Sequence, residues 1–451
     1  MESNLIRKYN IPGPRYTSYP TVPFWDSESF SIEGWKDAIN HTFWTSGKEV
    51  SIYIHLPFCE SLCTYCGCNT RITKNHEVEI KYINAVLKEW AMYVASFPSK
   101  PVIKEIHLGG GTPTFFSPTH LEQLILGILS FGNVSMDHEF AFEGHPNNTT
   151  QEHLETLYRL GFRRVSFGIQ DFDPYVQKLI NRVQPYHKVK EVTETAREVG
   201  FTSVNYDLIY GLPGQTLETV RRTIEQTLNL RPDRIAFYSY AHIPHLKPAQ
   251  KSFEEHLPDS SEKCSFYELG KAMLTEGGYK DIGMDHFSLS DDALFKAYEQ
   301  GNLHRNFMGY SLQHTELVIG LGVSAIGDSW ASFAQNVKNV EAYYEKIEEG
   351  QLPILKGHHL TTEDLIVRSK ILDLICRYQA SWTEEELHGF GLNINFEMLD
   401  NLKEDELIEL KDFGIEVTDK GRPFIRNICM PFDVRMWKAK DKKLPTFSKT
   451  I

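Results

Sequence analysis

Long apolar runs are missing from this chain of 451 residues. None reaches the roughly 18 residues that a helix needs to cross a bilayer, and the first thirty residues lack the charged-then-apolar pattern of a secretory signal. Neither a membrane span nor export is expected. Cysteine is scarce and odd in number, seven in all, with four inside one short stretch. That distribution is unlike a disulfide framework and points to a reducing, cytoplasmic setting. Positive charge is also short: 47 Lys and Arg stand against 60 Asp and Glu, a formal net charge of −13. Nucleic acids and anionic membranes demand clustered cations, so neither is an expected partner. Internal repeats, low-complexity segments and a Gly-Lys-Ser/Thr phosphate loop are absent. The 41% of hydrophobic residues is ample for a core, and the length suggests one large domain plus a smaller one.

What is present begins with the clustered cysteines, Cys59, Cys63, Cys66 and Cys68. They follow Ser51–Leu56, whose alternation reads as a strand. Thiolates this close repel one another and call for a soft metal, zinc or an iron–sulfur cluster; four inert buried thiols are the plain alternative. Spacing leaves two metal arrangements open, a closed four-thiolate site or three ligands and a spare cysteine. Closed zinc sites usually draw a second ligand pair from a distant knuckle, and none is evident.

Further strand-like runs are Val102–Leu108, Glu139–Glu143, Arg164–Ile169, Ser203–Tyr210 and Arg234–Tyr240, with helical patterns between them. In the first of those, Ile83, Val86, Leu87, Trp90 and Val94 recur at helical spacing. Strand–helix alternation predicts a parallel sheet with right-handed crossovers. Six units are two short of a closed eightfold barrel, so an open barrel and a doubly wound sheet both fit. Functional groups in either fold sit at strand C-termini. That rule selects Gly109–Thr114, Glu143, Gln170, Asp207 and Ala241-His242. The first 45 residues, rich in proline and aromatics, read as an arm lying on the main domain. From about residue 360 helices precede a hairpin, Gly414–Arg422 with Phe424–Arg426. This invites a winged-helix reading, but ten carboxylates against Lys403 and Lys411 between Glu384 and Asp412 would repel phosphates. A structural or lid role is expected instead, and Cys264 and Cys376 read as core residues.

Cys59-x3-Cys63-x2-Cys66, with Tyr65 before the third cysteine, resembles the signature of radical S-adenosylmethionine (SAM) enzymes. Cys68, the arm Gly13-Pro14-Arg15-Tyr16-Thr17-Ser18-Tyr19-Pro20 and the block Asn427-Ile428-Cys429-Met430 narrow the likeness to the oxygen-independent coproporphyrinogen III dehydrogenase family. It runs from about residue 8 to the C-terminus. The resemblance implies an α/β fold, a partial (β/α)6 barrel at 46–310 between an N-terminal arm at 1–45 and a smaller, mostly helical domain at 311–451. It implies a [4Fe–4S] cluster on Cys59, Cys63 and Cys66 and two SAM molecules. Tyr53, Tyr65, Gly110, Gly111, Thr112, Glu143, Gln170, Arg182, Asp207, Ala241 and Ile326 are its implied SAM-binding residues, and Tyr53, His55 and Cys68 its catalytic candidates. Carboxylates suit the ribose hydroxyls and ammonium of SAM, and Arg182 suits its carboxylate. The implied reaction converts two propionates of coproporphyrinogen III to vinyl groups through a 5′-deoxyadenosyl radical, giving protoporphyrinogen IX in anaerobic haem biosynthesis. It needs an external low-potential electron donor and is expected of a monomer. Arg15, Arg305, Arg422 and Arg426 are candidates for the four propionates. The alternative is a haem-binding radical SAM relative acting as a haem chaperone; such relatives typically lack Cys68, the arm and the terminal block. One departure is visible at Glu143-Gly144-His145-Pro146, where the family usually has an acidic residue before the proline.

Overall fold

The structure, a computed structural model, describes residues 3–312, 314–438 and 447–450. Six strands, β1 (Glu49–Leu56), β2 (Val102–Gly110), β3 (Asn133–Gly144), β4 (Phe162–Gln170), β5 (Ser203–Tyr210) and β6 (Arg234–Ser239), pair in chain order, every pair parallel. Strand order never reverses, as it must in a doubly wound sheet, so the wall is that of an open barrel. Five helices make the crossovers: α1 (Val78–Ser96), α2 (Pro118–Ser130), α3 (Gln151–Arg159), α4 (Tyr186–Val199) and α5 (Leu217–Leu230). Their starts follow local chemistry. Ser117, Thr150 and Thr216 each cap a helix by accepting a hydrogen bond from a backbone amide three residues on. Side chains such as Trp90, Leu124 and Leu154 are fully buried against Ile52, Ile106 and Phe142 of the strands.

The sheet continues past both ends of this wall. At one end β7 (Tyr279–Gly283) and β8 (His286–Leu289) add antiparallel in the order β6-β8-β7. At the other, β9 (Val318–Leu321) pairs parallel with β1, and β10 (Ile326–Asp328), β11 (Ser332–Asn336) and β12 (Ile354–His359) continue as a meander. The expected division at residue 310 therefore does not follow the sheet, because residues 318–359 are hydrogen-bonded into it. Strands of three to six residues are too short to register as alternation. The expected arm is also shorter. Ser31 caps a helix, Ile32–Thr45, whose Trp35, Ile39 and Phe43 are fully buried in the main core.

A second core joins the arm to the C-terminal region, with Leu5, Tyr9, Tyr16 and Tyr19 packed among Ile371, Leu374, Ile428 and Phe432. The mostly helical character holds there, around a three-stranded sheet of Gln379–Ser381, Ile408–Lys411 and Gly414–Val417. The hairpin is thus displaced one step toward the N-terminus. Phe424–Arg426, expected as its second strand, lies in helical turns, 3-10 at Arg422–Phe424 and α at Ile425–Cys429. Pro423 offers no N–H to a ladder, which suits the first turn. Cys264 and Cys376 are buried core residues, as expected. Among the described residues no helix is long and apolar enough to cross a membrane.

Candidate active site

The C-terminal ends of β2–β6 and the cysteine loop that follows β1 line a cavity of about 540 Å³, within the size range of small-molecule sites. The loop is held from three sides. Thr112 lies 3.3 Å from the Cys59 thiol. The Thr64 amide donates to the Ile180 carbonyl, while Asn181 donates to the Leu62 carbonyl at 2.8 Å. Lys247 donates to the Cys68 carbonyl at 2.8 Å, and Gln250 to that of Tyr65 at 3.1 Å. Within the loop, Cys68 donates to Cys66, which lowers the Cys66 thiol to about 6 against the opposing effect of burial. Burial pushes the Cys59 thiol up to about 11. Arg182 stands 3.5 Å from the Cys63 sulfur and donates to the Gly168 carbonyl at 2.6 Å, leaving its buried Nε without a partner.

The facing wall is backbone and carboxylate. Gly110 has φ +110°, and a Cβ there would meet the His55 ring at 2.7 Å; one on Gly111 would meet the Pro57 carbonyl at 2.6 Å. Only glycine allows this turn to pass so close. Glu143 accepts from the Gly110 amide at 3.3 Å and lies 3.2 Å from His107. Burial opposes its charge, but His107 and these donors outweigh burial and hold the carboxyl below its ordinary range. Asp207 has the opposite fate. Burial, reinforced by the Glu143 charge, lifts it to about 7, with one long hydrogen bond from Ser166 at 3.3 Å against the shift. Burial, then the Arg182 charge, pushes His145 down to about 2, so the residue at the departure before Pro146 lines the cavity as a neutral imidazole.

Cys59, Cys63, Cys66, Cys68, Tyr65, Gly110, Gly111, Thr112, Glu143, Gln170, Arg182 and Asp207 all line this cavity. Four of the expected residues do not. Tyr53 lies behind the wall, its ring 3.1 Å from the Cβ position of Gly109, and its hydroxyl is 3.1 Å from His55, whose other nitrogen meets the Asn69 carbonyl. Those two act on the cavity through Gly109 and Gly110. Ala241 presents its carbonyl to Gln250. Ile326 is two strands away from β1, on β10 beyond β9. Sequence reasoning missed Ser166, Gly168, Ile209 and Tyr238, which also line the cavity. The two-residue spacing of Ser166, Gly168 and Gln170, and of Asp207 and Ile209, was the available signal.

Residues 53–227 match the model of the radical SAM superfamily. The oxygen-independent coproporphyrinogen III oxidase of Helicobacter pylori is 38% identical, with 98% of each chain covered. The chain belongs to the oxygen-independent coproporphyrinogen III oxidase family. That of Escherichia coli is 37% identical over 99% of this chain and 98% of its own. The solved structure of the E. coli coproporphyrinogen III oxidase, described as a radical SAM enzyme, superposes with a TM-score of 0.88 at 36% identity, covering 96% and 98%. Membership brings a [4Fe–4S] cluster and SAM, and the residues present fit both. Four thiols line one rim of the cavity, enough for three cluster ligands and a spare, and the unpartnered Nε of Arg182 beside them suits an anionic group.

Proposed function

We propose that this chain converts coproporphyrinogen III to protoporphyrinogen IX by oxidative decarboxylation of two propionates. The observation that carries this reading is one cavity with Cys59, Cys63 and Cys66 on its rim and Gly110–Thr112, Glu143, Gln170 and Asp207 on its wall. Held by Cys59, Cys63 and Cys66, a reduced cluster would supply the electron for SAM cleavage, one SAM being consumed per propionate to take one hydrogen atom, with carbon dioxide released and one electron passed to an external acceptor. Cys59, Cys63 and Cys66 are the proposed cluster ligands, with Cys68 as the spare thiol. Arg182 and Gln170 are placed to meet the carboxylate of SAM, and Glu143 and Asp207 its ammonium and ribose hydroxyls. Tyr53 and His55 position the glycine turn. Tyr65, Gly110, Gly111, Thr112, Ala241 and Ile326 complete two proposed SAM sites. Cluster potentials span roughly −700 to +450 mV, and sulfonium cleavage needs the low end, hence an external donor.

So reactive a centre must exclude water, and the arm is suited to that. Arg15 donates to the Ser239 carbonyl at the end of β6, and Gly13 and Pro14 are clamped by Arg426. We take the working form to be a cytoplasmic monomer without nucleic-acid or membrane partners. The haem-chaperone alternative is not favoured, since Cys68, the arm and the Asn427–Met430 block are all present and the latter two pack into one core. Anaerobic incubation with coproporphyrinogen III, SAM and a strong reductant, followed by product mass, tests the reading. Loss of two carboxyl groups is expected; recovery of unchanged substrate with an intact cluster would refute it.

A further inference from the structure

Arg305 and Arg368 lie side by side under the arm, both lining a small gap with Tyr16–Tyr19, Asn306 and Asp328. Their surroundings treat them differently. Arg368 forks onto Asp328 at 2.6 and 3.0 Å, donates to the Trp330 carbonyl at 2.8 Å and stacks over Trp330. Arg305 is 8% exposed, yet among the described residues its Nε and Nη1 have no hydrogen-bond partner. Its guanidinium rests on the Tyr310 ring at 4.7 Å. A buried donor left unpaired is costly, more so when charged, and a ring face replaces neither hydrogen bond.

The other three arginines singled out from the sequence are less free. Arg426 spends its nitrogens on the carbonyls of Gly13, Pro14, Lys449 and Thr450. Arg422 lies over the Tyr378 ring and 3.3 Å from the exposed Asp419, with one nitrogen, Nε, lacking a hydrogen bond where Arg305 has two. Arg15 has one nitrogen on the Ser239 carbonyl. Arg305 adjoins the reaction space through Tyr310. Tyr310 beneath it lines a gap with His286, Glu143, Ser166, Asp207 and Tyr238, and the last four line the main cavity as well. The charges nearest this chamber include Arg15, Arg426 and the buried Asp285, around which all three arginines gather.

We infer that Arg305 is a binding residue for a carboxylate of the tetrapyrrole, its unsaturated guanidinium donating to a propionate that does not react. This rests on the proposed function, which supplies a substrate with four such groups. A macrocycle turning one propionate toward the SAM site must set others against the surrounding wall, and Arg305 is the buried guanidinium there with donors to spare. Arg368, already saturated by Asp328, is not available for this task.

The test uses anaerobically reconstituted enzyme carrying Arg305→Gln and, separately, Arg305→Met. Coproporphyrin III, the fluorescent oxidised form with the same four propionates, serves as the binding probe alongside turnover of coproporphyrinogen III. Loss of a charge-assisted hydrogen bond should weaken coproporphyrin III binding about ten- to a hundredfold and raise KM similarly, with iron, sulfide and SAM binding unchanged. Both variants should melt at or above the parent without ligand, because they remove an unpaired buried charge. Unchanged affinity would overturn the inference. So would melting below the parent in both variants, which would mark Arg305 as structural. A parent enzyme that neither binds coproporphyrin III nor turns over coproporphyrinogen III would instead refute the functional reading.

Discussion

Two buried carboxylates, one at the edge of the sheet and one at the mouth of the barrel, are lifted to about 7 by burial. Glu89 of α1 is met on all sides: the Gly322 amide at 2.8 Å, Asn336 at 2.7 Å and the Tyr343 hydroxyl at 2.6 Å. It ties α1 to the turn after β9. Asp207 has one long hydrogen bond, from Ser166, and a repelling Glu143 that outweighs the more distant charges of Arg182 and Arg164. The same contrast separates Arg368 from Arg305. Where the protein supplies every partner, the charged group is a staple; where it withholds them, the group is waiting for a ligand.

The largest effect is expected at the cysteine rim. Serine at Cys59, Cys63 or Cys66 replaces a soft thiolate by a hydroxyl that does not ionise at neutral pH. Iron, sulfide and activity should all be lost. Cys68→Ser should keep iron and sulfide near the parent while activity drops; loss of its cluster too would make the site a closed four-thiolate centre. Next comes the staple. Glu89→Ala strands three buried donors and should cost on the order of 3–5 kcal/mol by denaturant unfolding. Asp207→Asn should instead leave stability level or raised while weakening SAM binding about tenfold or more. Equal losses of stability in the two would erase the contrast.

The pH dependence is subtler. Asp207 titrates near 7 in the folded chain against 3.8 for the ordinary group. Between those values the folded state keeps a proton that the unfolded state gives up, so stability falls as pH rises from about 4 to 7. Asp207→Asn should flatten that slope in unfolding curves taken at pH 5 and pH 8, and SAM, whose ammonium favours the ionised carboxylate, should flatten it in the parent. The smallest effect is expected at Arg15, already half satisfied by Ser239. Arg15→Gln should raise KM a few-fold, about 1 kcal/mol or less, without touching the cluster. This point change is cleaner than removing the arm, whose Leu5, Tyr9, Tyr16 and Tyr19 belong to the second core. SAM titration of reconstituted enzyme should saturate at two molecules; saturation at one would remove Ala241 and Ile326 from the site.

The barrel wall was legible because periodicity is local. Buried parallel strands read as apolar runs, crossover helices repeat every three to four residues, and strand ends point to function. Gly110–Thr112, Glu143 and Asp207 follow from that rule, and Cys59–Cys68 from the clustering of cysteine itself. Alternation alone could not tell an open barrel from a doubly wound sheet, since both alternate strand and helix; the family resemblance implied the barrel, and the unreversed strand order shows it. Nor could the sequence join β9–β12 to β1, a pairing across more than two hundred residues made by strands too short to announce themselves. It named four arginines on an equal footing. Which of them is spent on backbone carbonyls and which is left with free donors depends on side chains far apart in the chain, such as Arg426 on Gly13 and Arg368 on Asp328. Residue types and spacings set which chemistry this chain can do. Only the folded contacts determine which charged groups are satisfied, because a hydrogen bond belongs to a distance and not to a sequence.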